Sequence, residues 1–368
     1  MTKNVKQRRP TLLSVAVAKN SVERKVCSLK ISPPDIIGEF PLRHRIVVLK
    51  LAVIIPTWQR VRKLEACLTS LAAQSLAPDL VLVVARAEDA ATHVALEEFR
   101  SRLPLEVQVV HSAGVVHAEN AAIARLRAQQ THDLVAFLDD DAAAPPGWVA
   151  HIQAFFASHS SAAALGGGDI IASEPWSYHD HPADDVGRVK WYGKVVGNHH
   201  RKAKGVREVE SLKGVNMVVR REQLRPLDHR LQGSDPRRGN GVFWELDLCL
   251  GIRGRGGRIF FDPSLLVLHD SDHRSIIPEA VIESTAHNLV LVLRKHLPAW
   301  RLAVAWGYFL VIGNAHVKGL GRTIVDWARG AGTGVWRACW VSLRGARNGW
   351  LVAANGHDDP EVLQDLGR

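Results

Sequence analysis

Four short apolar runs, separated by segments of helix length, limit the folds open to this chain more than any other feature. They read RIVVLKLAVIIPTW (residues 45–58), DLVLVVA (79–85), LEVQVVH (105–111) and DLVAFLD (133–139). Runs this rich in apolar and β-branched residues are typical of strands buried on both faces of a parallel sheet. Their alternation with helical segments predicts an α/β fold with a doubly wound, mostly parallel sheet.

The rest of the chain divides by pattern and composition. Residues 1–45 are basic and poorly periodic, which predicts an N-terminal arm. Residues 46–275 carry the strand pattern and continue into a strand, a helix and one or two further strands before residue 270. Residues 276–368 have helical patterning and are rich in tryptophan and basic residues. We therefore expect one main α/β domain with a helical C-terminal extension.

The charge of the chain is strongly basic, with a net charge of +10 and a pI of about 9.7. Between residues 294 and 350 lie nine Lys and Arg, one acidic residue (Asp326) and six of the eleven tryptophans. This mixture favours an anionic lipid surface over nucleic acid, because no zinc-finger spacing or RNA-binding aromatic motif accompanies it. The most apolar run of this segment, residues 303–313, is shorter than the ~20 residues needed to cross a bilayer.

The expected compartment follows from the cysteines and the N-terminus. Cys27, Cys67, Cys249 and Cys339 are far apart in sequence, as expected for free thiols in a reducing cytoplasm rather than for a disulfide framework. The basic N-terminus lacks the apolar core and cleavage site of a secretory signal. We expect a cytoplasmic protein that lies on the inner face of a membrane.

Three adjacent carboxylates, Asp139, Asp140 and Asp141, follow the fourth apolar run directly. The carboxyl ends of the strands are where α/β sheets bind ligands. Adjacent carboxylates repel one another unless a positive charge compensates them, and Mg²⁺ or Mn²⁺ accepts such hard oxygen ligands while bridging to phosphate. A solvated turn that caps the following helix would explain the same residues. The strand-end position favours the metal site.

Two later positions could add to such a site. Glu245 and Asp247 lie two residues apart in the predicted helix WELDLCL, so they point to different faces and at most one should reach a given site. His269 ends the predicted strand SLLVLH, where a neutral imidazole could complete a metal site made mainly of oxygens. Taken alone, the helix is better explained as an ordinary amphipathic helix with exposed acids, and a lone histidine is more often a surface or core residue than a ligand.

In order and spacing, four motifs resemble those of the family-two glycosyltransferases. They are LAVIIPTWQR, LVAFLDDDAAAPPGWV, KGVNMVVRRE and ELDLCLGIRGRGGRIFFDPSLLVLH, within residues 47–275. The resemblance implies a fold of the nucleotide-diphospho-sugar transferase type, with residues 46–275 as the catalytic domain. It implies an inverting, metal-dependent transfer from a nucleotide-diphosphate sugar to a saccharide or lipid-linked acceptor. Mn²⁺ or Mg²⁺ would be the cofactor, and surface polysaccharide the product.

The resemblance also implies roles on the donor side. The residues that match nucleotide-sugar-binding positions are Pro56, Thr57, Arg60, Asp89, Asp139 and Asp140. The positions that match metal ligands are Asp141, Asp139 and His269. Two departures bear on the nucleotide: VVARAED replaces an Asp-rich turn, so that only Glu88 or Asp89 could substitute, and Glu119 stands where a basic residue often precedes Asn120.

On the acceptor side, the resemblance places Glu245 at the position of the catalytic base. Lys213, Gly214, Asn216 and Asp247 match the sugar or acceptor pocket. Two other functions compete with this interpretation. A sugar-phosphate nucleotidyltransferase should carry a glycine- and arginine-rich phosphate loop, and IPTWQR has no glycine. A catalytically silent sugar-nucleotide-binding protein of the same fold should have lost the base or a metal carboxylate, whereas Glu245, Asp139 and Asp141 are all present.

Overall fold

The computed structural model describes residues 49–175, 177–232, 241–271, 278–314 and 317–354. The N-terminal arm expected for residues 1–45 lies outside these ranges. The first half of the chain alternates strands and helices: β1 (Leu51–Thr57), α1 (Val61–Ala72), β2 (Leu80–Arg86), α2 (Ala90–Glu97), β3 (Leu105–Val110), α3 (Val115–Gln129) and β4 (Leu134–Leu138). These four strands are parallel, in the order β3-β2-β1-β4, and each coincides with one of the four apolar runs.

The sheet has helices on both faces because alternate residues of its central strands point to opposite sides. Ala52 and Ile54 of β1 belong to one hydrophobic core, which includes residues of α3 and α6. Leu51, Val53 and Ile55 belong to the other, which includes residues of α1 and α4. The predicted doubly wound α/β fold is confirmed.

The second half of the chain extends the same sheet. Its elements are β5 (Ala142–Ala143), α4 (Trp148–Ser158), β6 (Ala162–Ile171), α5 (Ser177–Asp180), β7 (Arg188–Val189), β8 (Val195–Val196), β9 (Arg207–Glu208), β10 (Asn216–Arg220), α6 (Trp244–Gly254) and β11 (Arg258–His269). The antiparallel β10 joins β4 to β6, and β11 then pairs in parallel with β6. One continuous strand therefore replaces the one or two short strands expected near residue 260, with a register shift between Asp262 and Leu266.

The C-terminal region is helical, as expected, with α7 (Glu279–His296), α8 (Ala299–Val311), α9 (Leu320–Ala328) and α10 (Gly334–Ala354). Helix α7 contributes to the hydrophobic core that also contains residues of α6. Helix α10 packs closely on α7, since a Cβ atom at Gly345 or Gly349 would lie 2.3 or 2.2 Å from the carbonyl oxygen of Glu283 or His287. Among the described residues, no helix combines the length and apolar character needed to cross a bilayer.

Candidate active site

The parallel pairing of β1 with β4 brings two of the predicted donor-binding segments together. The strands pair from Leu51 with Leu134 to Ile54 with Phe137, so their carboxyl ends lie at the same edge of the sheet. There the hydroxyl of Thr57 donates to Oδ2 of Asp140 at 2.8 Å. The structure thus brings the loop after β1 into direct contact with the carboxylates after β4.

Arg60 strengthens this connection. Its Nη1 donates to Oδ1 of Asp140 at 3.0 Å and to Oδ2 of Asp141 at 3.1 Å. The ammonium group of Lys63 lies 3.9 Å from Oδ2 of Asp141. Because these cations approach adjacent buried carboxylates, they offset part of the repulsion between them. The same cations would face a phosphate group bound at this edge of the sheet.

Asp139, Asp141 and His269 form a group that could hold a metal ion. One ligand atom of each lies within 4.8 Å of the others. The pairing of His269 with Ala142 in β11 and β5 brings the histidine beside these carboxylates. Oδ1 of Asp141 is buried, has no hydrogen bond to any described residue, and lies 3.3 Å from Nε2 of His269. Two carboxylates, one imidazole and an oxygen without a hydrogen bond suit a hard divalent cation.

Asp169 is a site residue that the sequence interpretation missed. It is fully buried in β6 and pairs with Val267 of β11. Its Oδ2 lies 3.2 Å from Nδ1 of His269 and also accepts a hydrogen bond from the ammonium group of Lys213. A carboxylate in this position orients a ligating imidazole. The only sequence signal is an acid in the small-residue strand ALGGGDII, which has no spacing relation to His269.

The charges of this cluster shift the pKa values of its members. Burial opposes the charged form of His269, but the adjacent carboxylates of Asp141 and Asp169 raise its pKa to about 9. Burial and the neighbouring Asp141 raise the pKa of Asp139 to about 6. At neutral pH, carboxylates and a protonated imidazole thus share one small space. A divalent cation would supply the same positive charge without a proton.

Glu245 is not a member of this metal group and lies in the first turn of α6. The helix begins after Phe243, whose left-handed backbone (φ of 75°) turns the chain into it. Glu245 and Lys213 both line a cavity of about 880 Å³. Burial, followed by the negative charge of Asp139, raises the pKa of Glu245 to about 7. A carboxyl group with such a pKa can accept a proton near neutral pH.

A second cavity, of about 640 Å³, is lined by Arg60, Gln59, Lys63, Glu88 and Asp89 among others. Asp89 caps α2 through Thr92 and accepts a hydrogen bond from the backbone N–H of Gln59 at 2.7 Å. The carboxylate therefore holds the loop after β1 in place. Pro56 is half-buried in the strand that leads to this loop.

Three residues expected in the acceptor pocket have other contacts. Asp247 accepts hydrogen bonds from Lys295 at 3.0 Å and from His296 at 2.6 Å, which ties α6 to the end of α7. Gly214 packs against the indole of Trp244. The structure brings none of the three into the lining of the cavity beside Glu245.

Asn216 is the third of these residues, and it is completely buried. Its amide nitrogen donates to the carbonyl oxygens of Gly168 at 3.2 Å and Leu265 at 2.8 Å, and its amide oxygen accepts from the indole of Trp148 at 3.0 Å. The side chain thus links β10 to β6, β11 and α4. Both the nitrogen and the oxygen of the side-chain amide therefore make hydrogen bonds within the protein.

Glu119 and Asn120 mark the other departure noted in the sequence. Asn120 exchanges hydrogen bonds with the backbone of Leu227, donating at 2.9 Å and accepting at 2.6 Å. Glu119 is buried in α3, and its Oε2 has no hydrogen bond to a described residue. Burial and the charges of Asp139 and Glu245 raise its pKa well above the usual range. Glu119 thus adds a further buried acid near Asp139 and Glu245.

Comparison with known proteins agrees with this fold and identifies the family. The crystal structure of S. aureus TarS 1-349 with UDP-GlcNAc aligns with a TM-score of 0.53 and 15% identity, covering 80% of each chain. The same protein with UDP aligns at 0.50 and 14%, covering 84% of this chain and 92% of that one. Pyrobaculum calidifontis mannosyltransferase PcManGT with GDP-Man and Mn²⁺ reaches only 0.48 at 16% identity, covering 84% and 88%, which is too low to support an argument.

None of the curated proteins compared with the chain matches it significantly. The solved structures establish the fold. They do not establish the function, because their sequence identities to this chain are too low. The model of the family described as "Glycosyltransferase like family 2" matches residues 50–286, which is more than half of the chain and includes every predicted site residue. The chain therefore belongs to glycosyltransferase family 2 and is a glycosyltransferase.

Proposed function

We propose that this enzyme transfers a sugar, with inversion, from a nucleotide-diphosphate sugar to a hydroxyl group of a saccharide or lipid-linked acceptor. The observation that carries the proposal is the position of Lys213. It lines the cavity beside Glu245 and also pairs with Asp169, the partner of His269. Lys213 thus connects the cavity that Glu245 lines with the carboxylate that contacts His269.

The donor site comprises the segments joined at the edge of the sheet. Thr57, Arg60 and Asp140 are already linked there, and Asp89 holds the adjoining loop. The cavity beside this loop has room for a nucleotide. The complex of TarS with UDP-GlcNAc supports a donor of the same chemical class. In this chain VVARAED replaces the usual Asp-rich turn, and only Glu88 or Asp89 could substitute for its carboxylates.

Asp139, Asp141 and His269 would hold Mn²⁺ or Mg²⁺, and the orphaned Oδ1 of Asp141 fits such an ion. When bound, the ion would neutralise the diphosphate of the leaving nucleotide. Asp169 would have a different role from the ligands, because it orients one of them. Asp169 holds the imidazole of His269 through Nδ1 and leaves Nε2 on the side of Asp141.

Glu245 takes the proton in the proposed reaction. As the acceptor oxygen attacks the anomeric carbon, its proton passes to the carboxylate of Glu245, and the bond between that carbon and the diphosphate oxygen breaks. The electron pair of this bond leaves with the nucleotide diphosphate. Attack opposite to the leaving group inverts the anomeric centre. The raised pKa of Glu245 suits proton acceptance near neutral pH.

The acceptor side extends into the C-terminal region, residues 276–368, which we propose as an acceptor-binding and membrane-facing extension of the catalytic domain, residues 46–275. Tyr308, Ile312 and Arg322 of this region line the cavity that contains Glu245. The basic residues and tryptophans between residues 294 and 350 favour contact with anionic lipid. These features support a peripheral enzyme on the cytoplasmic face of a membrane, acting in surface-polysaccharide synthesis.

A panel of nucleotide sugars tests the proposal. Purified full-length protein is incubated with each donor, with and without Mn²⁺ or Mg²⁺, and the release of nucleotide diphosphate is measured. We expect one donor to give metal-stimulated release and Glu245→Gln to reduce transfer to added acceptors. Donor binding without turnover under any condition would instead support a silent binding protein. Release of inorganic pyrophosphate from a nucleoside triphosphate and a sugar phosphate would support a nucleotidyltransferase.

A further inference from the structure

Helices α8 and α9 form an exposed apolar surface beside the cavity of Glu245. Along α9, Leu320, Ile324 and Trp327 recur at helical spacing, and all three are exposed. The end of α8 adds Val311 and Ile312, which are 57% and 49% exposed. An apolar stripe on a helix of a soluble domain normally faces its core, so this reversed arrangement indicates a binding surface.

This surface is continuous with the catalytic pocket. Ile312 belongs to both, because it is exposed and also lines the cavity that contains Glu245. The two helices are held close together, since a Cβ atom at Gly319 would lie 2.6 Å from the carbonyl oxygen of Phe309. The buried Thr323 donates to the carbonyl oxygen of Gly319 at 2.9 Å and faces the protein. The exposed stripe therefore lies on a fixed helix.

The junction of pocket and apolar surface is positively charged. Arg322 and Lys194 line the cavity. Arg322 is half-exposed, and its Nε lies 3.8 Å from Asp326, which also accepts a hydrogen bond from Lys318 at 3.0 Å. Asp326 is the only acidic residue between residues 294 and 350, so most of the positive charge of this segment is not neutralised by acidic residues of the same segment. An exposed ion pair at this distance contributes little to stability. The guanidinium of Arg322 can therefore bind a phosphate in its place.

We propose that the acceptor is a saccharide joined to a lipid through a phosphate. Its reacting hydroxyl faces Glu245, its phosphate binds Arg322 and Lys194, and its hydrocarbon chain lies along the apolar surface of α8 and α9. This assignment rests on the proposed function and specifies its acceptor. In this transfer the acceptor loses one proton to Glu245 and gains the glycosyl group. The nucleotide diphosphate leaves with the electron pair of the broken bond.

Farnesyl phosphate is a suitable probe because it combines a phosphate with a hydrocarbon chain. Its binding to the full-length protein is compared by calorimetry with that of farnesol and of inorganic phosphate. We expect farnesyl phosphate to bind at least ~10-fold more tightly than either, since a charge-assisted hydrogen bond and apolar burial both contribute. Arg322→Ala should remove the preference for farnesyl phosphate over farnesol, and Arg322→Lys should retain part of it.

Ile324→Glu should weaken binding of both farnesyl compounds, because it places a carboxylate within the apolar stripe. Val94→Glu is the matched control, since Val94 is an exposed apolar residue of α2, outside the cavity and the surface described here. Thermal unfolding verifies that each variant is folded. Equal binding of farnesyl phosphate to the parent, Arg322→Ala and Ile324→Glu would overturn the assignment.

Two further measurements separate the possible failures. Nucleotide-sugar binding is assayed on the same preparation. If the parent protein binds no nucleotide sugar, the result counts against the proposed function. If it binds the donor but shows no phosphate-dependent lipid binding, the result counts against the acceptor assignment alone. Sedimentation then compares the parent with Ile324→Glu. A dimer that dissociates in the variant, with unchanged lipid binding, would show that a second copy of the chain covers this surface and would also overturn the assignment.

Discussion

Nδ1 of His269 lies 3.2 Å from Oδ2 of Asp169, across the parallel pair of strands β11 and β6. The contact fixes which ring nitrogen remains for another partner, because an N–H at Nδ1 donates to the carboxylate. Nε2 then lies beside Oδ1 of Asp141, at 3.3 Å. Asp169 is thus a positioning residue for the imidazole.

Asp169→Asn should weaken binding of Mn²⁺ by ~10–100-fold, as expected for removal of a carboxylate that orients a ligand. Titration of Mn²⁺ in the presence of nucleotide diphosphate measures this affinity. Asp262→Asn provides a matched control. Asp262 is also a buried carboxylate and accepts from His151 at 2.8 Å, but outside the site. A similar loss of metal affinity in both variants would contradict a specific role for Asp169.

Asp141→Asn should abolish metal-stimulated nucleotide binding and leave the fold intact. The variant loses one anionic ligand and keeps the size of the side chain. An excess of chelator should have the same effect on the parent, and added Mn²⁺ should reverse it. The control is Asp270→Asn, since Asp270 adjoins the site but is exposed. Full activity of the parent in chelator would refute the metal requirement.

Glu245→Gln should lower kcat by ~10²–10⁴-fold, the usual contribution of a general base, with donor affinity retained. In the parent, kcat should rise with pH and level off above about pH 7, because the base works only when ionised and its pKa is about 7. Single-turnover rates from pH 5 to 9 measure the profile. A variant that turns over within a few-fold of the parent would reject Glu245 as the base.

Asp247→Asn, on the same helix, should affect stability rather than chemistry. The substitution weakens the hydrogen bonds from Lys295 and His296, and hydrogen bonds to a charged group contribute about 2 kcal/mol. Denaturant unfolding should show a lower free energy of unfolding, whereas kcat should stay within a few-fold of the parent. If kcat instead fell as far as in Glu245→Gln, Asp247 would take part in the reaction.

Glu119→Gln should stabilise the protein, and increasingly so as the pH rises above about 4.5, the usual pKa of glutamate. The pKa of Glu119 is raised in the folded state, so the unfolded chain releases this proton first and stability falls with increasing pH. The neutral glutamine has no such dependence. Thermal unfolding of both proteins from pH 4 to 8 measures the difference, which should vanish at the acid end of the range.

The sequence was sufficient to predict the elements that depend on local pattern. The four apolar runs became β1 to β4, because strands buried on both faces need continuous apolar side chains. The association of Asp139, Asp141 and His269 came from the resemblance, and their proximity in the structure agrees with it. Position at the ends of strands was the physical signal for these residues.

Other features depend on contacts that no local pattern encodes. Asp169 and His269 are 100 residues apart and meet only because β6 pairs with β11. Likewise, the spacing of two residues shows that Glu245 and Asp247 point to different faces of the helix. It does not reveal that Lys295 and His296 donate hydrogen bonds to Asp247. Such pairings are determined by tertiary packing.

The pairing of β5 with β11 also has a consequence for synthesis on the ribosome. The carboxylate of Asp141 is translated 128 residues before His269. At a translation rate of about 5–20 residues per second, roughly 6–26 s separate the two. During this interval β1 to β4 can assemble, but the nascent chain lacks His269, which completes the group formed with Asp139 and Asp141. If catalysis needs this group, as proposed, the enzyme becomes competent late, after most of the sheet has been synthesised.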